Sequence, residues 1–238
     1  MTKGAASRTV RAGGIEGGPA LGDLVARIEE EIVLGRLLPR QRLVEDDLIE
    51  RFGASRHTVR QALMQLDALG LVVRVPNRGA EVASLAADDI GHLHALRSML
   101  EAEAARLIPL PMVPEDLHIL EAIQARHDAA VEADDLVEIF RSNHAFHRHL
   151  FACCGNRFLV EAIEAAALKA HGVRFLPMRS VENRRVARDQ HHEMLAAIRR
   201  SDREALVQLC RNHVARLKDG YANIVHVVET PKDTREDS

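Results

Sequence analysis

At 238 residues the chain is long enough for two modest domains, each with a core of its own. Its apolar fraction of 47% is that of an ordinary globular protein, and no run approaches the roughly 18 apolar residues of a membrane helix, which excludes a membrane partner. The net charge of -3 excludes a protein that coats nucleic acid indiscriminately but allows one localised basic face.

The opening stretch, MTKGAASRTVRAGGIEGGPA, lacks the continuous apolar block of a signal peptide and reads as a flexible arm over residues 1–20. Leu24, Val25, Ile28, Ile32 and Val33 then recur at helical spacing, and Gly35 with Pro39 closes this first helix. A second, short helix is predicted from Glu45 to Arg51, followed by the tight turn Phe52-Gly53-Ala54. Ser55 stands as an N-cap before a third helix, whose stripe of Val59, Leu63, Leu66 and Leu69 ends at Gly70. Leu71-Val72-Val73 and Glu81-Val82 form a predicted hairpin on the turn Pro76-Asn77-Arg78-Gly79. Residues 21–84 thus read as a winged helix-turn-helix.

Beyond Ser84 the pattern is helical. About six helices are predicted, over 87–107, 114–132, 134–153, 156–175, 181–200 and 202–224, with breaks at Pro109 to Pro114, Ala133, Gly155, Pro177 and Ser201. The expected fold is mostly α, a winged helix-turn-helix followed by an all-α bundle over 85–226, with a polar, disordered tail over 227–238. Three cysteines, Cys153, Cys154 and Cys210, cannot all pair within one chain, and a reducing, cytoplasmic setting is expected.

The charge is segregated. Between Arg51 and Gly79 lie Arg51, Arg56, Arg60, Arg74 and Arg78 against Asp67 as the only acid. A recognition helix presents its N-terminal residues to base edges in the major groove. Ser55, Arg56, His57, Thr58 and Arg60 supply donors there, and Arg56 and Arg60, one turn apart, leave the apolar stripe free to pack. Arg78 and Gly79 at the wing tip can reach the adjacent minor groove. Each arginine alone is equally well a solvated surface charge; the ordered set is more specific.

The residues Ile32 to Gly35 with Leu38-Pro39, Leu43, Glu45 and Leu48, Phe52 to Arg56, Val59 to Leu63, Leu66, Gly70-Leu71-Val72 and Arg78-Gly79 resemble the GntR family of bacterial regulators. The resemblance implies that Arg56, His57, Thr58 and Arg60 occupy the family's recognition helix and Arg78-Gly79 its wing tip. Three positions depart from it: glycine is common where Arg40 stands, some members place a DNA-contacting arginine at Asp46, and His57 replaces a small hydroxyl residue.

Further on, Asn143 and His147 lie at i and i+4 on one helix face, while His191 and His213 sit among apolar neighbours on later helices. Three imidazoles and an amide oxygen converging inside a bundle make a metal site. With 13 histidines such spacings also arise by chance, so spacing alone leaves the metal open. Arg97, Leu100-Glu101, Ala104-Ala105, Asn143-x-x-Phe146-His147, Gly155-Asn156, His191, Ala197-Ile198, Asp202, Ala205 and His213 resemble the FCD effector domain of the FadR subfamily. That resemblance implies a divalent ion of the Zn, Ni or Mn type on Asn143, His147, His191 and His213, and an anionic effector met by Arg97 and Asn143. Aspartate is frequent where Asn143 stands. His144, His149 and His192 are expected on other faces, Cys153 and Cys154 as small buried hydrophobes, and Arg141 and Arg174 are left open as pocket residues.

The expected function is a homodimeric, ligand-responsive regulator of double-stranded operator DNA, a repressor released by a small organic acid held in a metal-containing pocket. The alternatives are the same regulator with a structural or absent metal and a non-acid effector and, remotely, a metal enzyme or hemerythrin-like carrier. No enzyme is expected: the chain has neither an HExxH pair nor paired carboxylates for a two-metal centre.

Overall fold

The computed structural model describes residues 18–75, 79–171 and 180–214. The expected arm over 1–17, Pro76-Asn77-Arg78, Arg174 and the tail over 227–238 lie outside these described residues.

Helix α1 (Leu21–Val33) buries Leu24, Ile28 and Ile32, one turn apart, in the N-terminal core. Helix α2 (Glu45–Phe52) stops at Gly53, whose φ of 65° is a left-handed cap that glycine adopts without strain. Ser55 caps α3 (Arg56–Ala68): its Oγ accepts from the Thr58 backbone N–H at 3.1 Å. The stripe of Val59, Ala62, Leu63 and Leu66 is buried against α1.

Strands β2 (Val72–Val75) and β3 (Gly79–Val82) pair antiparallel, Val72 opposite Val82 and Val75 opposite Gly79. A third strand, β1 (Arg42–Leu43), pairs with the outer side of β3 and gives the order β1-β3-β2. Two residues carry no readable alternation, so β1 is invisible in sequence. Arg40, just before it, has a φ of 64°, and its N–H donates to the Val82 carbonyl at 2.9 Å. A left-handed backbone is demanded there, which explains why glycine suits this position.

The C-terminal bundle comprises α4 (Ala87–Leu107), α5 (Pro114–Ala133), α6 (Leu136–Ala152), α7 (Arg157–Lys169), α8 (Val181–Arg199) and α9, described over 203–214. Boundaries are set by side chains rather than by periodicity. Asp134, with φ of 56°, ends α5, and Asp135 caps α6 by accepting from the Val137 and Glu138 N–H groups. Asn156 caps α7, Ser180 caps α8, and Asp202 Oδ1 accepts from the Ala205 N–H at the start of α9. α5 packs on α6 and α8, and α4 on α6 and α7. Phe146, Leu120, Leu150, Met194, Leu195, Ile198 and Leu206 fill the shared core. Among the described residues no helix is long and apolar enough to cross a membrane.

The two cores meet at α1. Arg141 of α6 pairs with Glu30 at 2.7 Å, and buried His171 lies 2.9 Å from the Glu29 carboxylate. Leu168 of α7 packs against the N-terminal core.

Candidate DNA-binding face and candidate metal pocket

The N-terminal end of α3, the acidic start of α2 and the three-stranded sheet enclose one concavity, lined in part by Arg42, Glu45, Asp46, Arg60, Arg74 and Gly79. Arg56, His57 and Arg60 are exposed at the head of α3. The two arginines are not free cations: Arg56 Nη2 donates to Asp46 at 2.5 Å, and Arg60 Nε meets both carboxylate oxygens of Glu45 at 2.9 and 3.1 Å. The Ser55 and Thr58 hydroxyls lie 2.8 Å apart, and the Ser55 oxygen is taken up by the helix cap. Arg42 and Arg74 join the face from β1 and β2. Arg42 escaped the sequence reading because its strand did, and Arg78 lies outside the described residues.

In the bundle, His147 from α6, His191 from α8 and His213 from α9 bring their ligating nitrogens together, all within 4.8 Å of one another. His147 Nε2 is 3.0 Å from His213 Nε2 and 3.1 Å from His191 Nε2. Phe146 stacks on the His191 ring at 4.2 Å between centroids and fixes its plane.

The proton positions follow from the neighbours. Gln124 Nε2 donates to Asp128 Oδ1 at 2.7 Å, and a carboxylate can only accept, so the other amide atom, Oε1, faces His191 Nδ1 at 2.9 Å. That oxygen also only accepts. His191 therefore carries its proton on Nδ1 and turns a lone pair inward from Nε2. The exposed His192 holds Asp128 through both carboxylate oxygens at 3.0 Å. His213 Nδ1 lies 2.8 Å from Gln190 Oε1, an acceptor for a proton on that outer nitrogen. The arrangement is that of metal-ligating histidines whose outer nitrogens donate to oxygens.

The donor set fits a divalent ion. At a metal–nitrogen distance of about 2.1 Å, neighbouring ligand nitrogens are separated by about 3.0 Å at right angles and about 3.4 Å in a tetrahedron. The separations of 3.0 and 3.1 Å from His147 Nε2 fall at the first value. Asn143 stands half-buried one turn before His147, outside the set of residues that line the adjoining cavity.

That cavity, of about 30 Å³, is lined by Arg97, Glu101, His144, His147, Phe151 and Ile163 among others. Its volume holds about two waters, since one needs roughly 10–15 Å³. Arg97 is buried, and its Nη2 pairs with buried Glu101 at 2.7 Å while Nη1 makes no hydrogen bond among the described residues. Arg97 thus brings its charge with a counter-charge attached, which sequence reasoning missed. His144 lines the cavity, against its expected place on another face, because the bundle also covers that side of α6. Arg141 leaves the pocket for Glu30. Gln124, Asp128 and Gln190 were also missed, since nothing in their local spacing singles them out.

A winged helix-turn-helix joined to a helical bundle with a buried polar pocket defines a ligand-responsive transcriptional regulator. The chain belongs to the GntR family of bacterial regulatory proteins, whose model matches residues 22–82, and the FCD domain matches residues 92–216. It is similar to the HTH-type transcriptional regulator BphR of Paraburkholderia xenovorans, 32% identical over 79% of this chain and 79% of that protein. It is also similar to YdhC of Bacillus subtilis, 27% identical over 87% of this chain and 92% of the relative. Among solved structures, Escherichia coli McbR/YncC superposes with a TM-score of 0.72 at 22% identity, covering 89% of this chain and 100% of that one. A GntR regulator from Rhodococcus sp. reaches 0.69 over 86% and 98%. At such identities the structures show a common fold.

Proposed function

We propose that the chain is a cytoplasmic, homodimeric repressor that leaves its operator when a small organic acid joins a divalent ion in the bundle pocket. The observation that carries this reading is the convergence of His147, His191 and His213, whose ligating nitrogens lie within 4.8 Å of one another while glutamine oxygens face the outer nitrogens of His191 and His213. When bound, the ion would supply a positive centre for a carboxylate. His147, His191 and His213 would hold it, with Asn143 as the nearest amide oxygen on the same helix face. Arg97 Nη1, buried and without a hydrogen bond among the described residues, is the matching donor on the cavity side. An acid larger than the cavity enters by displacing the exposed Arg148 and Glu164 side chains, which also line it.

A response has a physical route to the DNA-binding domain. His144 lines the cavity and packs edge-on against His171 at 5.9 Å, and His171 faces Glu29 of α1. The exposed Leu96, Met99 and Leu107 share one stripe of α4 and supply an apolar surface for a second copy. One observation favours the second reading, a structural metal with a non-acid effector: Glu101 already neutralises Arg97.

The test is a thermal-shift screen of small carboxylates, repeated after chelation, with operator binding followed in parallel. The proposal expects one acid to raise the melting temperature only in the metal-loaded protein and to weaken operator binding. Equal metal affinity with and without that acid would sink it. Glu29→Gln tests the route: acid and DNA each bind as before, but the acid no longer weakens DNA binding.

A further inference from the structure

We infer that Asp116, His149 and Cys153 form a second divalent-cation site, of the zinc class, on the side of α6 away from the three-histidine pocket. His149 and Cys153 are one turn apart at the C-terminal end of α6, and Asp116 projects from the first turn of α5. Their ligating oxygen, nitrogen and sulfur all lie within 4.8 Å of one another. His149 is two residues from His147, a rotation of roughly 200° about the helix, so the two histidines serve opposite faces.

The separation of the donors is informative. His149 Nε2 lies 3.3 Å from Asp116 Oδ1, is closed off from solvent, and makes no hydrogen bond among the described residues. A charge-assisted hydrogen bond would draw such a pair to about 2.7–2.9 Å. Two ligands of a tetrahedral zinc ion, each about 2.0–2.1 Å from it, stand about 3.3–3.4 Å apart. The imidazole and carboxylate therefore sit as co-ligands do. The Cys153 thiol completes the set; its present partner is the His149 carbonyl, 3.2 Å away, a bond within its own helix.

The chemistry of the set selects the ion. One carboxylate, one imidazole and one thiolate suit zinc, and the sulfur disfavours magnesium and calcium. On binding, the Cys153 S–H bond breaks, a sulfur–metal bond forms, and the proton passes to water without any change of oxidation state. Two anionic ligands offset the unfavourable positive end of α5 beside the ion. Three protein ligands leave a fourth position for water, and the ion would tie the start of α5 to the end of α6. The inference stands apart from the proposed effector pocket, because it shares no ligand with it.

Cobalt(II) titration of the full chain tests it. In a His191→Ala/His213→Ala background the expected result is one remaining equivalent of cobalt with a thiolate-to-metal charge-transfer band. Adding Cys153→Ser should abolish the band and weaken cobalt binding at least tenfold, with melting of the metal-free protein unchanged. Should that background fail to fold, wild type is compared directly with Cys153→Ser, and the loss of the band together with one of two equivalents is expected. Absence of any charge-transfer band, or a band that survives Cys153→Ser and disappears in Cys154→Ser, would overturn the inference. Zinc should also protect Cys153 from alkylation in the wild-type protein, and equal alkylation rates with and without zinc count against it.

Discussion

Gln124→Met probes the reasoning about the three-histidine pocket most directly. Methionine conserves volume but removes two hydrogen bonds at once, from His191 Nδ1 at 2.9 Å and to Asp128 at 2.7 Å. His191 is fully buried, so its Nδ1–H loses its acceptor in a place water does not reach, a cost of about 1–3 kcal/mol. The ring can escape that cost by moving the proton to Nε2, which withdraws the inward lone pair. Loss of such an outer partner lowers metal affinity about 10- to 100-fold, or about 1.4–2.7 kcal/mol. Competition against a chromophoric chelator measures the affinity, and melting of the metal-free protein controls for folding. Gln124→Glu restores the acceptor toward His191 while forfeiting the donor toward Asp128, and should recover most of the metal affinity. If folded Gln124→Met binds metal within twofold of wild type, the assignment of the His191 tautomer is wrong.

At the DNA-binding end, Arg60→Ala should lose about 1–3 kcal/mol of specific operator binding, and unchanged affinity would remove α3 from the groove. Asp46→Asn releases Arg56 from an exposed pair worth at most about 1 kcal/mol, so operator affinity should rise up to about fivefold by fluorescence anisotropy. No rise would mean that Arg56 stays off the DNA. Arg40→Gly relieves a left-handed backbone and should stabilise the protein by about 1 kcal/mol in urea unfolding, where a decrease would contradict the strain argument. Burial lowers the pKa of His127 from 6.5 to about 4, against the opposing pull of Asp128. The unfolded chain therefore binds the extra proton first: stability from neutral His127 is full above pH 6.5 and is lost as pH falls toward 4, by up to about 3 kcal/mol. A folded His127→Gln should show a shallower acid dependence of unfolding free energy, and parallel curves would rule this out.

The winged helix-turn-helix was legible before any coordinates because its determinants are local. The stripe Val59, Leu63, Leu66, the Ser55 cap and Gly53 with its left-handed φ act within a few residues of where they are written. The span of α4 was legible for the same reason, and those of α5, α6 and α8 to within two residues, whereas α7 ends at Lys169, six residues before the expected 175, because its last turn is closed at Ala170 and not at the later proline. Strand β1 was not, since two residues become a strand only when β3 lies alongside them.

At the candidate sites the division is sharper. His147, His191 and His213 could be nominated from residue type and family resemblance, but their convergence depends on how α6, α8 and α9 pack. Their protonation depends on Gln124 and Gln190, which the sequence marks in no way. Likewise the pairing of Arg97 with Glu101, of Arg56 and Arg60 with the acids of α2, and of Asp116 with His149 are encounters between side chains. A sequence determines which groups are available and which helix face each one takes; only tertiary packing decides which lone pairs and charges meet, because those energies vanish beyond a few ångströms.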